Sequence, residues 1–386
     1  MLVEFSVGNF RSFYEPVTLS MLAAKLHASE ERLDRENLFE AHNQRLLRSA
    51  TIYGANASGK SNLVRALRFM RDFVCESSRE SQASDPIPVE RFGLNRAARE
   101  RPASFQIVFW LDGVRYRYGF EVDEQRVHSE WLYHARQRET RLFAREGDAY
   151  DLSSAYKEGR GLEKRTRPNA LFVSVVAQFN GSIAISLLDW FSRQLVIVSG
   201  LSDVAYGALT VERLEADEDF RRRALHLVQE ADLSISGLRV ERRSYGGTVV
   251  SRTPVTALES TNRPLILGET GPVSRKVQTQ HQVFDEQGHP SGWTIFDLDE
   301  QESEGTQKML YLAGPLIEAL DGGKVLVIDE IDARLHPLIT RAIVGLFHSL
   351  DTNPHNAQLV STTHDTGLLR KEYYRRDQVW FTEKDR

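Results

Sequence analysis

The chain has 386 residues, 41% hydrophobic and 27% charged, an ordinary globular composition that excludes disorder as the main state. Lysine and arginine number 49 against 54 acidic residues, so a formal charge of -5 leaves no overall basic field of the kind that announces a nucleic-acid binder. The single cysteine, Cys75, excludes both an intramolecular disulfide and a cysteine-built zinc site.

No apolar run approaches the ~20 residues needed to span a bilayer. The opening MLVEFSVGNFRSF lacks the basic-then-apolar order of a signal peptide, so the expected compartment is the cytoplasm. The length allows two domains, or one large α/β core with an insertion.

In chain order, residues 1 to 20 predict two short strands around the Gly8-Asn9 turn, followed by a polar, helix-like stretch. Arg48 to Tyr53 leads into a glycine-rich loop. From Lys60, the residues Leu63, Val64, Leu67, Met70, Phe73 and Val74 recur at helical spacing, giving the order strand, loop, amphipathic helix. Residues 104 to 133 alternate apolar and polar around Asp112-Gly113, which predicts an antiparallel hairpin and a further strand.

The stretch from about 151 to 300 is less regular. It holds a basic loop (Arg160 to Arg167), apolar runs at Leu171 to Phe179 and Leu195 to Val198, a charged helix near Glu212 to Asp232, and a turn-rich region, 244 to 295, expected to form strands. From Thr306 an apolar helix, the run Val325 to Ile328, another helix and the strand Gln358 to Thr362 alternate. That alternation predicts an α/β fold with a mostly parallel core sheet covered by helices. The expected domains are 1-150, with the phosphate loop and an antiparallel β-subdomain; 151-295, an inserted helical and β region; and 296-386.

The residues Gly54-Ala-Asn56-Ala57-Ser58-Gly59-Lys60-Ser61 match GxxxxGK[ST] in full, between a strand and a helix. Glycines let the loop wrap so that backbone amides face phosphate oxygens, and the helix amino terminus adds partial positive charge. Lys60 would reach the β and γ phosphates of ATP, Ser61 would ligate Mg2+, and Asn62 completes the expected nucleotide-binding set. The strand Val325-Leu-Val-Ile-Asp329-Glu330 ends in two acids at the carboxyl edge of the sheet. Asp329 is expected in the magnesium shell and Glu330 as the general base acting on water.

Glu302-Ser303-Glu304-Gly305-Thr306-Gln307 opens the helix before the acidic strand, and Thr362-Thr363-His364-Asp365 ends the strand after it. The ESEGTQ segment also reads as an ordinary capped helix start, since serine is a favoured cap. The sequential order of these motifs resembles the ABC-type ATPases, including SMC and break-repair heads, and not AAA-plus or RecA-like motors. With Asn9-Phe-Arg-Ser-Phe13, IDEIDARLHP (328 to 337) and TTHDTGLL (362 to 369), the chain resembles the OLD-like group of ABC-type ATPases found in abortive-infection and anti-phage systems. The resemblance covers 1 to 75 and 295 to 386 well and the middle loosely.

It implies an ABC-type P-loop ATPase head, with Arg11 near the nucleotide, Asp332 and His336 in a loop crossing a dimer interface, and His364 contacting the γ-phosphate. Ser303 and Gly305 would cap a nucleotide bound by the opposite chain, in a homodimer or a multiple of dimers that sandwiches ATP. Glu304 stands where the common signature has its first glycine, and Gln106 and Gln178 are the candidates for the magnesium-sensing glutamine.

OLD nucleases continue into a metal-dependent nuclease domain, whereas this sequence stops at Arg386 with no second acidic cluster after His364. The expectation is therefore an ATPase whose effector, a nuclease or toxin, is a separate partner, or else a shortened chain. The principal alternative is a DNA-binding ATPase of repair or chromosome maintenance. For that role Arg160, Lys164, Arg165 and Arg167, or Arg221 to Arg223, would contact phosphates, although acidic neighbours also suit them to a solvated face.

Overall fold

The computed structural model describes residues 1–386 apart from 80, 81, 83, 203, 231–233, 245–265, 269, 270, 385 and 386. Strands β1 (Leu2–Gly8) and β2 (Val17–Ser20) pair antiparallel. The stretch read as polar and helix-like holds only one short helix, α1 (Glu31–Glu36), before the hairpin β3 (Leu38–Ala41) and β4 (Gln44–Leu47). Its two-residue turn has φ of 52° at His42 and 62° at Asn43, the primed-turn geometry that suits right-twisted strands. Strand β5 (Ser49–Gly54) and helix α2 (Lys60–Glu76) flank the phosphate loop.

A meander follows: β6 (Ala103–Leu111), β7 (Val114–Val122), β8 (Val127–Ala135), β9 (Glu139–Glu146) and β10 (Ala149–Leu152). The β6–β7 turn is Asp112-Gly113, both at positive φ, as its sequence predicts. Next come α3 (Phe172–Gln178), α4 (Ser182–Asp189), β11 (Leu195–Ser199), α5 (Val204–Ala216) and α6 (Glu218–Glu230). The turn-rich region contributes β12 (Gly237–Ser244), β13 (Ile266–Gly268), β14 (Gly271–Phe284) and β15 (Pro290–Asp297); residues 245–265 of it lie outside the described residues. The chain continues through α7 (Leu298–Gln301), α8 (Glu304–Gly322), β16 (Val325–Asp329), α9 (Pro337–His348), β17 (Gln358–Thr362) and β18 (Val379–Thr382).

The fold is α/β, and it divides into two compact units. The first comprises Met1–Val198, Ala319–Glu330 and Val344–Arg386. It carries a five-stranded sheet in the order β11-β16-β17-β5-β18, whose last four strands run parallel, and a seven-stranded antiparallel sheet in the order β10-β9-β8-β7-β6-β1-β2. The two sheets share one hydrophobic core that includes Val327 and Val360 of the parallel sheet, Phe105 and Phe120 of the antiparallel one, and Leu67 and Met70 of α2. Burying each such side chain stabilises by roughly 1.5–3 kcal/mol. That packing fixes α2, and with it the amino-terminal end that faces the phosphate loop. The second unit, Ser199–Glu318 with Ile331–Ile343, holds α5, α6 and the sheet in which β14 pairs with β12, β13 and β15. Among the described residues no single helix is long and apolar enough to cross a membrane.

Candidate functional site

The phosphate loop leaves β5 at Gly54, where a Cβ would lie 2.5 Å from Thr382 O and from Ser58 Oγ, so glycine is required for space. Gly59 at φ 112° begins α2 without a side-chain cap, which leaves the helix amino terminus open to an anionic group. Ala57 holds a left-handed φ of 61°, an unusual conformation for a residue with a Cβ. Lys60 folds back so that its ammonium donates to the carbonyls of Gly54 (2.8 Å) and Ala55 (3.2 Å).

A cleft of about 760 Å³ lies over this loop, lined by Asn56, Ala57, Ser58, Gly59, Lys60, Ser61, Asn62 and Arg65 together with Glu330 and His364. The loop, one of the two acids and the strand-end histidine, separated by some 300 residues in sequence, thus share one cavity. Arg65, which the motif did not single out, lines it from the second turn of α2 and donates to Asn62 Oδ1 (3.0 Å). A basic residue one turn beyond GK[ST] is the signal by which sequence could have found it. The open helix end, the lysine ammonium at the loop and a serine hydroxyl at Ser61 suit a nucleoside triphosphate with its magnesium.

Asp329 closes β16, and Glu330 follows at φ 54°, a left-handed backbone that turns the chain away from the sheet. The hydroxyl of Thr362 donates to Asp329 Oδ1 (2.7 Å) and accepts the Glu330 amide proton (2.7 Å). One step further, Thr363 N–H donates to Ile52 O (3.1 Å) and Thr363 Oγ1 accepts from Asp365 N (2.9 Å), which anchors the segment on both sides of His364.

The amino-terminal turn Asn9 to Phe13 lies against this loop. Asn9 and Arg11 have φ of 49° and 48°, Ser12 Oγ accepts from Asn62 Nδ2 (2.9 Å), and a Cβ on Gly59 would fall 2.8 Å from that same oxygen. It is Ser12, not Arg11, that touches the helix start. The Arg11 guanidinium pairs with Glu90, and Arg11 is not among the residues lining the cleft. Neither are the two glutamine candidates: Gln106 accepts from Arg117 (3.3 Å) and Trp131 (3.1 Å) in the antiparallel sheet, and Gln178 lies at the end of α3.

In the second unit, Ser303 Oγ accepts the Thr306 amide (3.1 Å) and so caps α8, with Gly305 in the first turn, where a Cβ would stand 3.2 Å from Arg334 O. Glu302 is held by His281 (2.6 Å) and by the Thr279 hydroxyl, which ties the start of α8 to β14. Lys308, buried on the same helix, donates to the carbonyls of Ile331 (3.5 Å) and Ala333 and steadies the loop carrying Asp332. His336 caps α9 through Nδ1, which accepts from Leu338 N (3.2 Å). The roles of Lys308 and Glu302 depend on contacts that no local pattern announces.

The basic clusters are largely committed elsewhere. Arg167 donates to Ser77 O (3.2 Å) and Ser78 O (3.4 Å), Arg165 stacks 5.4 Å from the Phe179 ring, Arg221 donates to Leu214 O (3.1 Å), and Arg222 pairs with Asp219. Arg160 and Lys164 are exposed.

No curated protein matches the sequence. Among solved structures the chain is similar to an SMC head bound to the C-winged helix domain of ScpA, at 14% identity over 98% of this chain and 96% of that one, with a TM-score of 0.47. It is also similar to the SMC head domain from Thermotoga maritima (13% identity, 96% and 91% covered, TM-score 0.40) and to the recombination mediator protein RecF of the RecFOR pathway (14%, 98% and 97%, TM-score 0.32). The family model for an AAA domain, described as putative AbiEii toxin of a type IV TA system, matches residues 49–370, from the strand before the phosphate loop to just past the strand-end histidine, and the chain belongs to that family.

Proposed function

We propose that the chain hydrolyses ATP with magnesium and uses the nucleotide to switch between association states, as an ABC-type ATPase does. The observation that carries this reading is the single cleft shared by Lys60, Ser61, Glu330 and His364. In it Lys60 would exchange its loop carbonyls for the β and γ phosphates, and the loop amides would hold the phosphate oxygens. Ser61 and Asp329 would hold magnesium, which supplies charge neutralisation at the phosphates. Glu330 would accept the proton of the attacking water as the bond from the γ-phosphorus to the bridging oxygen breaks, and His364 would hydrogen-bond the γ-phosphate.

Ser303 and Gly305, at the amino terminus of α8, would face the nucleotide of a second copy, with Asp332 in the crossing loop. A helix end aimed at a phosphate attracts most while that phosphate is present, so hydrolysis would loosen the pair. The family description, which includes a putative toxin of a type IV toxin–antitoxin system, supports a role in anti-phage defence. In that role the chain would act in the cytoplasm with a separate effector such as a nuclease or toxin. The DNA-binding alternative is less favoured, because Arg165, Arg167, Arg221 and Arg222 already have partners within the chain.

The test is native mass and phosphate release for the unmodified chain and for Glu330→Gln, each with and without ATP and magnesium. The expected result is magnesium-dependent phosphate release that Glu330→Gln abolishes while retaining ATP, together with an ATP-dependent dimer or multiple of dimers. No phosphate release by the unmodified chain would overturn the ATPase reading, and a mass that ignores ATP in both proteins would overturn the switch.

A further inference from the structure

We infer that Thr362 is the positioning residue of the two-acid motif, holding Asp329 and Glu330 through one hydroxyl. This rests on the ATPase reading and extends it to a residue that neither the phosphate loop nor the acidic strand contains. Strand β17 runs parallel to β16, with Ile328 opposite Ser361, so the next residue, Thr362, comes level with the end of the acidic strand. Its side chain is fully buried.

The direction of both hydrogen bonds follows from the partners. A backbone N–H can only donate, so the Thr362 oxygen accepts from Glu330. The hydroxyl proton is then free to point at Asp329 Oδ1, which as a carboxylate oxygen can only accept. Hydrogen bonds to an ionised acceptor are the stronger kind, and this one fixes the rotamer of Asp329 with one oxygen engaged. The bond from Glu330 acts on the backbone. A non-glycine residue at φ 54° is strained and persists only where its surroundings hold it. The Thr362 hydroxyl accepts that amide proton, so it helps keep the turn that carries the Glu330 side chain into the cleft.

Valine has the shape of threonine without the hydroxyl, and serine keeps the hydroxyl without the methyl, so the pair separates hydrogen bonding from packing. With the full chain, Thr362→Val is expected to bind ATP in the absence of magnesium within about threefold of the unmodified protein. Its kcat should fall about 30-fold, and the magnesium concentration for half-maximal turnover should rise. Thr362→Ser should restore both. In nucleotide-free protein, hydrogen exchange at the Glu330 amide should speed up in Thr362→Val and return towards normal in Thr362→Ser.

Unchanged exchange with an unchanged kcat and magnesium dependence in Thr362→Val would overturn the proposal. So would a Thr362→Ser variant as impaired as Thr362→Val, which would leave only a packing role. If the unmodified chain releases no phosphate, the ATPase reading fails, and Thr362 is then judged by Glu330 exchange and by the magnesium dependence of ATP binding. Either one moving in Thr362→Val and recovering in Thr362→Ser supports the proposal, and neither moving overturns it.

Discussion

The hydroxyl of Thr382 lies 2.7 Å from that of Ser58, 324 positions earlier, and fastens the phosphate loop to the last strand of the parallel sheet. The same threonine also donates to Tyr53 O (3.3 Å). The loop is therefore held from outside the GxxxxGK[ST] motif. Thr382→Val should weaken ATP binding about fivefold, the effect of losing the neutral hydrogen bond to Ser58 in the loop, with little change in thermal stability from the longer one to Tyr53 O. Fluorescent-nucleotide titration checks it, and Thr382→Ser should bind as the unmodified chain does.

Ala57 occupies the left-handed region at φ 61° in the middle of the loop. Ala57→Gly removes the strain of that conformation and should leave ATP binding within about twofold of normal. A β-branched side chain is the least tolerant of positive φ, so Ala57→Val should weaken binding about tenfold or more, read by calorimetry on folded protein.

Glu130 and Arg145 form a charge pair sealed in the antiparallel sheet, 3.7 Å apart and both about 1% exposed. Glu130 also accepts from Phe172 N (2.6 Å), Val173 N (3.0 Å) and Tyr118 Oη (2.9 Å), so it binds the start of α3 to the sheet. Burial pushes its carboxyl pKa up, and the Arg145 guanidinium opposes that shift. Arg145→Met would leave a carboxylate without its cation and should destabilise by about 3–5 kcal/mol in urea unfolding. Replacing both members, with Glu130→Gln and Arg145→Met, should cost less than the single change to Arg145.

His348 is buried beside Ser49, whose hydroxyl lies 2.8 Å from Nε2, and burial with the nearby charges of Arg48 and Arg32 lowers its pKa from 6.5 to about 3. The folded state thus keeps it neutral where the unfolded chain protonates it. With more protons bound in the unfolded state, stability falls as pH drops from about 6.5 towards 3. Between pH 7 and pH 5 this one group should remove about 2 kcal/mol. Urea titrations at the two pH values measure the loss, and His348→Gln, which does not titrate, should show about that much less of it.

The core of the site was legible because its signals are local. Gly54 to Ser61 announces a loop by its glycines, the α2 stripe by its spacing, and the end of β16 by an apolar run stopping at Asp329-Glu330. The Asp112-Gly113 hairpin was legible for the same reason. What sequence did not disclose depends on partners far along the chain. Thr362 reaches back to Asp329 and Glu330, and Thr382 reaches Ser58. Ser12 meets Gly59, and Arg11 pairs with Glu90, contacts that likewise join residues far apart in sequence. The β3–β4 hairpin was missed because its turn, His42-Asn43, lacks the glycine that usually marks positive φ at both positions.

Strand β5, which delivers the phosphate loop, has β17 on one side and β18 on the other, and both lie more than 300 residues further along the chain. During synthesis the loop would therefore leave the ribosome long before either neighbour of its strand exists. Pairings of such long sequence separation form late and slowly. The nascent chain would have no finished nucleotide cleft to fill until both β17 and β18 have been made, so ATP could assist folding only from that point on.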